Sequence, residues 1–278
     1  MGFFSASKPQ PALERPQLDL SGPALTATIE RLAAACEETG GVEAYVEALK
    51  LKSAAFRKIF DDAGPQGPSA DEFTVLSGLM PTVRRRIADW LEGGKFDVLT
   101  AAVKVLTEEP HVPELVDQRI AEFCVHFPTG KKFRWVRDLA AELLHALDPE
   151  RYPLMTRWVW DEAANTGVLR EIWHGDVDRA SIRVGDGYAM HIMLREELSQ
   201  FLADNGVFRD TLQYVDLVMA QVYAEYIAAQ GGSYLRADFT SAEDSVAYLR
   251  RLLGLDGVRI KHRDPAVVQA ARAALPGF

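Results

Sequence analysis

Across residues 23–274 the apolar side chains recur every three or four positions, and proline and glycine cut the runs at short intervals. That spacing specifies amphipathic helices joined by tight turns. Leu25, Ile29 and Leu32 lead into Cys36 and stop at Gly40-Gly41, and Tyr45, Leu49, Phe56 and Phe60 form a second run that ends at Gly64-Pro65-Gln66-Gly67-Pro68. Ser69 with Glu72 three residues later reads as a capping box opening a third helix. Pro81 reads as the start of a fourth, carrying Val83, Ile87 and Trp90 up to Gly93-Gly94. Further helical runs cover 96–106, 112–127, 133–147, 188–202, 208–229, 242–253 and 265–274. No stretch alternates apolar and polar residues as a half-buried strand does. The expected fold is therefore all-α, with roughly ten helices and one small irregular or β-like segment at 175–187, where Ser181-Ile182-Arg183-Val184 lies among glycines.

Four prolines (Pro9, Pro11, Pro16 and Pro23) make 1–22 an extended tail, because proline lacks the donor that helices and ladders need. The breaks at Gly93-Gly94 and Pro110 divide the remainder into a helical subdomain at 23–110 and a larger one at 111–278, unless the two are continuous. The composition, 48% hydrophobic and 26% charged over 278 residues, supports a packed core and excludes disordered, collagen-like and disulfide-scaffold classes. Cys36 and Cys124 stand far apart and outside any CxxC pair, so they frame neither a zinc ribbon nor a redox dithiol. They read as thiols of a reducing cytoplasm, the expected location. The excess of 40 acidic over 31 basic side chains, a net charge of −9, argues against general attraction to nucleic acid or to an anionic membrane.

Chemistry concentrates between residues 126 and 178. The run His126-Phe127-Pro128-Thr129-Gly130-Lys131-Lys132-Phe133-Arg134-Trp135-Val136-Arg137 sets four cations and aromatic rings at a turn before a helix, a place where backbone N–H groups and basic side chains favour anions. It is not a P-loop, since Val125 stands where that motif needs glycine. Lys131, Lys132, Arg134, Trp135 and Arg137 are the expected contact residues, with Arg84-Arg85-Arg86 or Arg259, Lys261 and Arg263 as extensions. An acidic protein surface is the expected partner ahead of nucleic acid, because local charge on a net-negative chain suits selective docking. A homo-oligomer is also open, through a helix such as 208–229.

Two Glu-x-x-His pairs, Glu142 with His145 and Glu171 with His174, reproduce the ligand spacing of di-iron and di-manganese helical bundles. On that alternative the protein is a metal-dependent oxidoreductase carrying iron or manganese, with Glu122, His126, Glu196, Glu197 and Glu225 as further ligand candidates. Two pairs are little above what composition supplies by chance, and their 29-residue offset leaves no room for the intervening helix of such bundles. A helical wheel puts Val136, Leu139, Ala140, Leu143 and Leu147 on one apolar stripe, so Asp138, Glu142 and His145 are expected to face solvent. The acidic loop with Asp176 and Asp178 after His174 fails the EF-hand pattern at Ser181 and Gly187. Serine-hydrolase, dinucleotide-binding and zincin motifs are missing. The expected function is thus a cytoplasmic accessory or regulatory protein that needs no cofactor and binds a protein or anionic partner at the basic-aromatic helix start; enzymatic activity stays open.

Overall fold

Helix boundaries follow from local chemistry. In the computed structural model, which describes residues 16–107, 111–175, 181–231 and 242–256, Ser21 caps the first helix by accepting from the N–H of Ala24 at 3.4 Å. Ser69 and Glu72 close a reciprocal capping box on the third. The α-helices among the described residues are α1 Gly22–Cys36, α2 Gly41–Ala63, α3 Ala70–Gly78, α4 Gly93–Thr107, α5 Val116–Val125, α6 Trp135–Leu147, α7 Val168–Glu171, α8 Tyr188–Asp204, α9 Thr211–Gly231 and α10 Ala242–Leu252. The described residues hold no strand, only the isolated bridges Leu20–Trp173 and Asp161–Thr166. The fold is all-α. No described helix is long and apolar enough to cross a membrane.

The cap of α8 comes from another helix. Asp117 on α5 accepts the N–H of Tyr188 through both carboxylate oxygens, at 2.9 and 3.1 Å. The approach is so close that a Cβ on Gly187 would lie 2.8 Å from Asp117 Oδ2, so a larger residue there would push the capping carboxylate aside.

Two expectations change in the structure. Residues 81–87 form successive turns and 88–90 one turn of 3-10 helix rather than a continuous α-helix, and Pro81, without an N–H, does not extend α3. The chain closes instead through Val83 N–H to Met80 C=O, Arg86 N–H to Val83 C=O and Trp90 N–H to Ile87 C=O. The periodic Val83, Ile87 and Trp90 still bury, which is why the segment reads as helix. Gly93-Gly94 opens α4 instead of closing a unit. Residues 181–187 are irregular, held where Trp160 Nε1 donates to Val184 C=O at 2.9 Å, with Ile182 and Val184 buried. The run at 265–274 and the basic residues Arg259, Lys261 and Arg263 lie outside the described residues, as does most of the Pro-rich tail.

Two apolar clusters form the core. One gathers Phe56, Leu76, Leu99, Phe123, Phe127, Trp135, Leu139 and Leu143, and the other Leu25, Leu32, Tyr45, Trp158, Trp160, Leu169, Leu194, Val218 and Leu249. Each draws residues from both sides of position 110. After α10 the chain folds back over α3. Asp256 takes both guanidinium nitrogens of Arg84, at 2.8 and 2.9 Å, and Gly254, at φ +70°, sits so tightly that a Cβ there would come within 2.0 Å of Leu79 C=O.

That overlap cannot be relieved by a rotamer change, because the obstructing atom is backbone. Gly254→Ala is expected to lower the unfolding free energy by at least about 2 kcal/mol, from steric overlap and left-handed strain together. Gly22→Ala, with open space around it, is expected to stay within about 0.5 kcal/mol of wild type. Urea denaturation of both variants checks this.

Candidate functional site: a basic cleft and an interior polar cluster

Three segments distant in sequence bring cations to one open cleft of about 660 Å³. The turns after Pro81 present Arg85 and Arg86, the first turn of α4 presents Lys95, and the turn before α6 presents Lys131 and Lys132. All five are exposed, and none forms an ion pair among the described residues. Asp89 is the one acidic residue among the lining. The aromatic lining comes from Trp90, Phe133 and Trp135, with Lys95 Nζ lying 5.9 Å from the Trp90 ring centre. Concave walls concentrate the positive potential of such a group above that of the same charges on a flat surface.

The structure divides the basic run of the sequence. Lys131 and Lys132 stand in the cleft, whereas Trp135, 2% exposed, belongs to the core and packs on Phe127. Arg134 turns away to pair with Asp161, and Arg137 reaches the Asp186 carbonyl at 2.5 Å and its carboxylate at 3.6 Å. The split follows helix geometry: Arg134 and Arg137, three apart, share a side of α6, while the lysines lie in the turn before it. Arg84 is bound to Asp256, so Arg85 and Arg86 alone extend the patch. Lys95 carried no sequence signal, since only the folding of the 81–95 segment onto the 128–133 turn places it there.

The wheel argument for α6 is overturned. None of its thirteen residues is exposed, because the face opposite its apolar stripe is covered as well. Asp138, 2% exposed, receives the Arg157 guanidinium at 2.6 Å and the Arg157 N–H at 3.0 Å. Glu142, 4% exposed, accepts from the Thr82 hydroxyl and from the Thr82 N–H at 3.4 Å. Burial lifts its carboxyl pKa to about 7, against the opposing pull of Lys52 and the Thr82 hydroxyl. His145 has Nδ1 2.8 Å from Tyr152 C=O and Nε2 3.0 Å from Asp216 Oδ2 on α9. Both neighbours are acceptors, so both contacts are hydrogen bonds when the ring is an imidazolium. Burial opposes that charge, but Asp216 and the Tyr152 carbonyl outweigh it and raise the histidine's pKa.

Glu171 and His174 lie elsewhere. The α7 helix is a single turn that ends at Glu171, so the pair never shares a helical face, and both residues are exposed. His174 donates its N–H to Asp19 C=O at 2.7 Å, with its ring 3.7 Å from the Asp19 carboxylate. Among the described residues no three of His, Cys, Asp and Glu converge as a metal-binding group, and Asp176 and Asp178 are outside them. The thiols are passive: burial raises Cys36 to about 11 and moves Cys124 in the same direction. Comparison with protein families, with characterised proteins and with solved structures finds no match for this chain.

The interior cluster makes stability depend on pH with a definite sign. Glu142 binds its proton more tightly folded than unfolded, so its contribution falls as pH rises from 4.5 to about 7. The raised pKa of His145 adds a contribution that is full below 6.5 and is lost as pH rises through the folded value. Glu142→Gln keeps an acceptor for Thr82 and removes the first effect. The variant is expected to gain stability relative to wild type from pH 5 to pH 8, by on the order of 3 kcal/mol at most. Chemical denaturation across that range checks it; a pH-independent difference would contradict it.

Proposed function

We propose that this protein is an accessory or regulatory protein that docks an acidic segment of a partner protein in the cleft between residues 85–95 and 128–133. One observation carries the reading: five cations from three chain segments converge on one concavity without ion-pair partners among the described residues, on a chain whose net charge is −9. Like charges brought together repel, and several cations elsewhere in this protein are paired, as Arg31 with Glu225 and Arg157 with Asp138. A negative ligand converts the repulsion in the cleft into binding energy and selectivity.

Acidic peptide is favoured over nucleic acid by the condition of the rings. Stacking of bases needs exposed aromatic faces. Trp90 is 8% and Trp135 2% exposed, and Phe133 is half-buried, so the cleft offers charge and apolar floor but no stacking platform. The overall negative charge repels a long polyanion, whereas a short acidic segment meets only the local field. A cytoplasmic location belongs to this reading and is supported by two thiols separated in sequence and unpaired in the fold.

Fluorescence anisotropy with a labelled twelve-residue Glu/Asp peptide tests the proposal. Reversing Lys131, Lys132, Arg85 and Arg86 to Glu is expected to weaken binding at least about tenfold at 0.1 M salt, since each exposed pair contributes about 0.2–1 kcal/mol and the reversed charges repel. All four side chains are exposed, so circular dichroism of the variant is expected to match wild type. Affinity unchanged by the fourfold reversal, or tighter binding of oligothymidylate than of the peptide, would overturn the reading.

A further inference from the structure

Lys52, midway along α2, sends its ammonium inward to the Leu253 carbonyl at 2.9 Å. This is its one hydrogen bond among the described residues, and no carboxylate lies within ion-pair distance. The neighbouring acids are engaged elsewhere: Glu142 by Thr82, Asp216 by His145 and Asp256 by Arg84. An ammonium has three donors, so two of those of Lys52 have no acceptor among the described residues. Lys52 is half-buried, and its loss of solvent holds the lysine below its ordinary pKa against the pull of Glu142, Asp216 and Asp256.

The same ammonium borders a cavity of about 30 Å³. That is room for roughly two waters, or for a group of about three or four heavy atoms. Leu49, Leu154, Trp158 and Leu253 supply apolar walls. Gln213, also in the lining, has an amide with no hydrogen bond among the described residues. Charge without a partner, spare donors and a small, partly apolar enclosure together define a ligand type. We propose that this cavity is a binding site for a small monocarboxylate of one or two carbons, its carboxylate on Lys52 and Gln213 and its carbon against the apolar walls. The site is distinct from the basic cleft, and its ligand supplies the direct ion-pair contact that no side chain among the described residues gives Lys52.

The groups facing the ligand from each packed element set the pH dependence. Lys52 comes from α2, Glu142 and His145 from α6, and Asp216 from α9, with the Arg84–Asp256 pair beyond them. A bound anion favours protonated Lys52 and protonated Glu142, so binding takes up protons and strengthens as pH falls from 8 to 6.

Isothermal titration of the full chain with sodium formate and sodium acetate, against sodium chloride at equal ionic strength, tests this. Repeating it in buffers of different ionisation enthalpy counts the protons. Expected are one saturable site for formate and acetate, proton uptake, and no binding of benzoate, which is too large. Lys52→Met is expected to weaken binding at least tenfold without lowering the melting temperature, because it removes a partly desolvated charge that has no ion-pair partner among the described residues. Gln213→Leu, a milder change, is expected to weaken it several-fold, and Lys131→Glu with Lys132→Glu to leave it unchanged. The proposal is overturned if neither acid binds saturably, if affinity survives both Lys52→Met and Gln213→Leu, or if it is lost with the cleft lysines instead.

Discussion

A helix buried on every side cannot leave a polar side chain to solvent, and α6 is such a helix. Its sequence has only one apolar stripe, so Asp138, Glu142 and His145 must each find a partner inside the protein. Those partners come from three places: Arg157 and Tyr152 from the irregular 148–161 segment, Thr82 from the turns after α3, and Asp216 from α9. The apolar stripe joins the first core cluster, and the polar side reaches toward the second. The arrangement around α6 is therefore fixed by polar complementarity as much as by apolar area, and a helix placed one turn out of register would strand at least one buried charge.

Much of this architecture was legible in the sequence. Helical spacing, the Ser69–Glu72 box and the glycine and proline stops gave the positions of α1, α2, α3, α5, α6, α8, α9 and α10 closely. What the pattern could not convey is the extent of covering. Periodicity reports which residues of a helix are apolar, not whether a second layer lies over the rest, and so Glu142 and His145 read as solvent-facing. The turns at 81–90 misled for a related reason: tertiary packing buries Val83, Ile87 and Trp90 at helical intervals without a helix to carry them. In the basic run, the lysines and arginines looked equivalent until the start of α6 sent Arg134 and Arg137 to acids of their own.

The cations of this protein fall into three electrostatic situations. Arg84, Arg134 and Arg157 are matched with carboxylates and act structurally. The cleft residues are unmatched but wet, and solvent makes their mutual repulsion inexpensive. Lys52 has no ion-pair partner among the described residues and is half-buried, and its loss of solvent lowers its affinity for the proton. The same absence of a carboxylate thus has different meaning at the two places: a surface ready for a charged partner outside, and a strained protonation equilibrium inside.

The cap that Asp117 lends to α8 has a consequence for how the chain folds. The helices α1 and α3 are capped by neighbouring residues, Ser21 for α1 and Ser69 with Glu72 for α3. The start of α8 instead relies on a carboxylate 71 residues earlier in the chain. Its first turn can be fully satisfied only after α5 has docked, so closing the long loop between them must precede or accompany the locking of α8. Two helices remote in sequence are thereby tied into one cooperative unit, and fraying at the entrance to α8 becomes a sensitive reporter of whether α5 is in place.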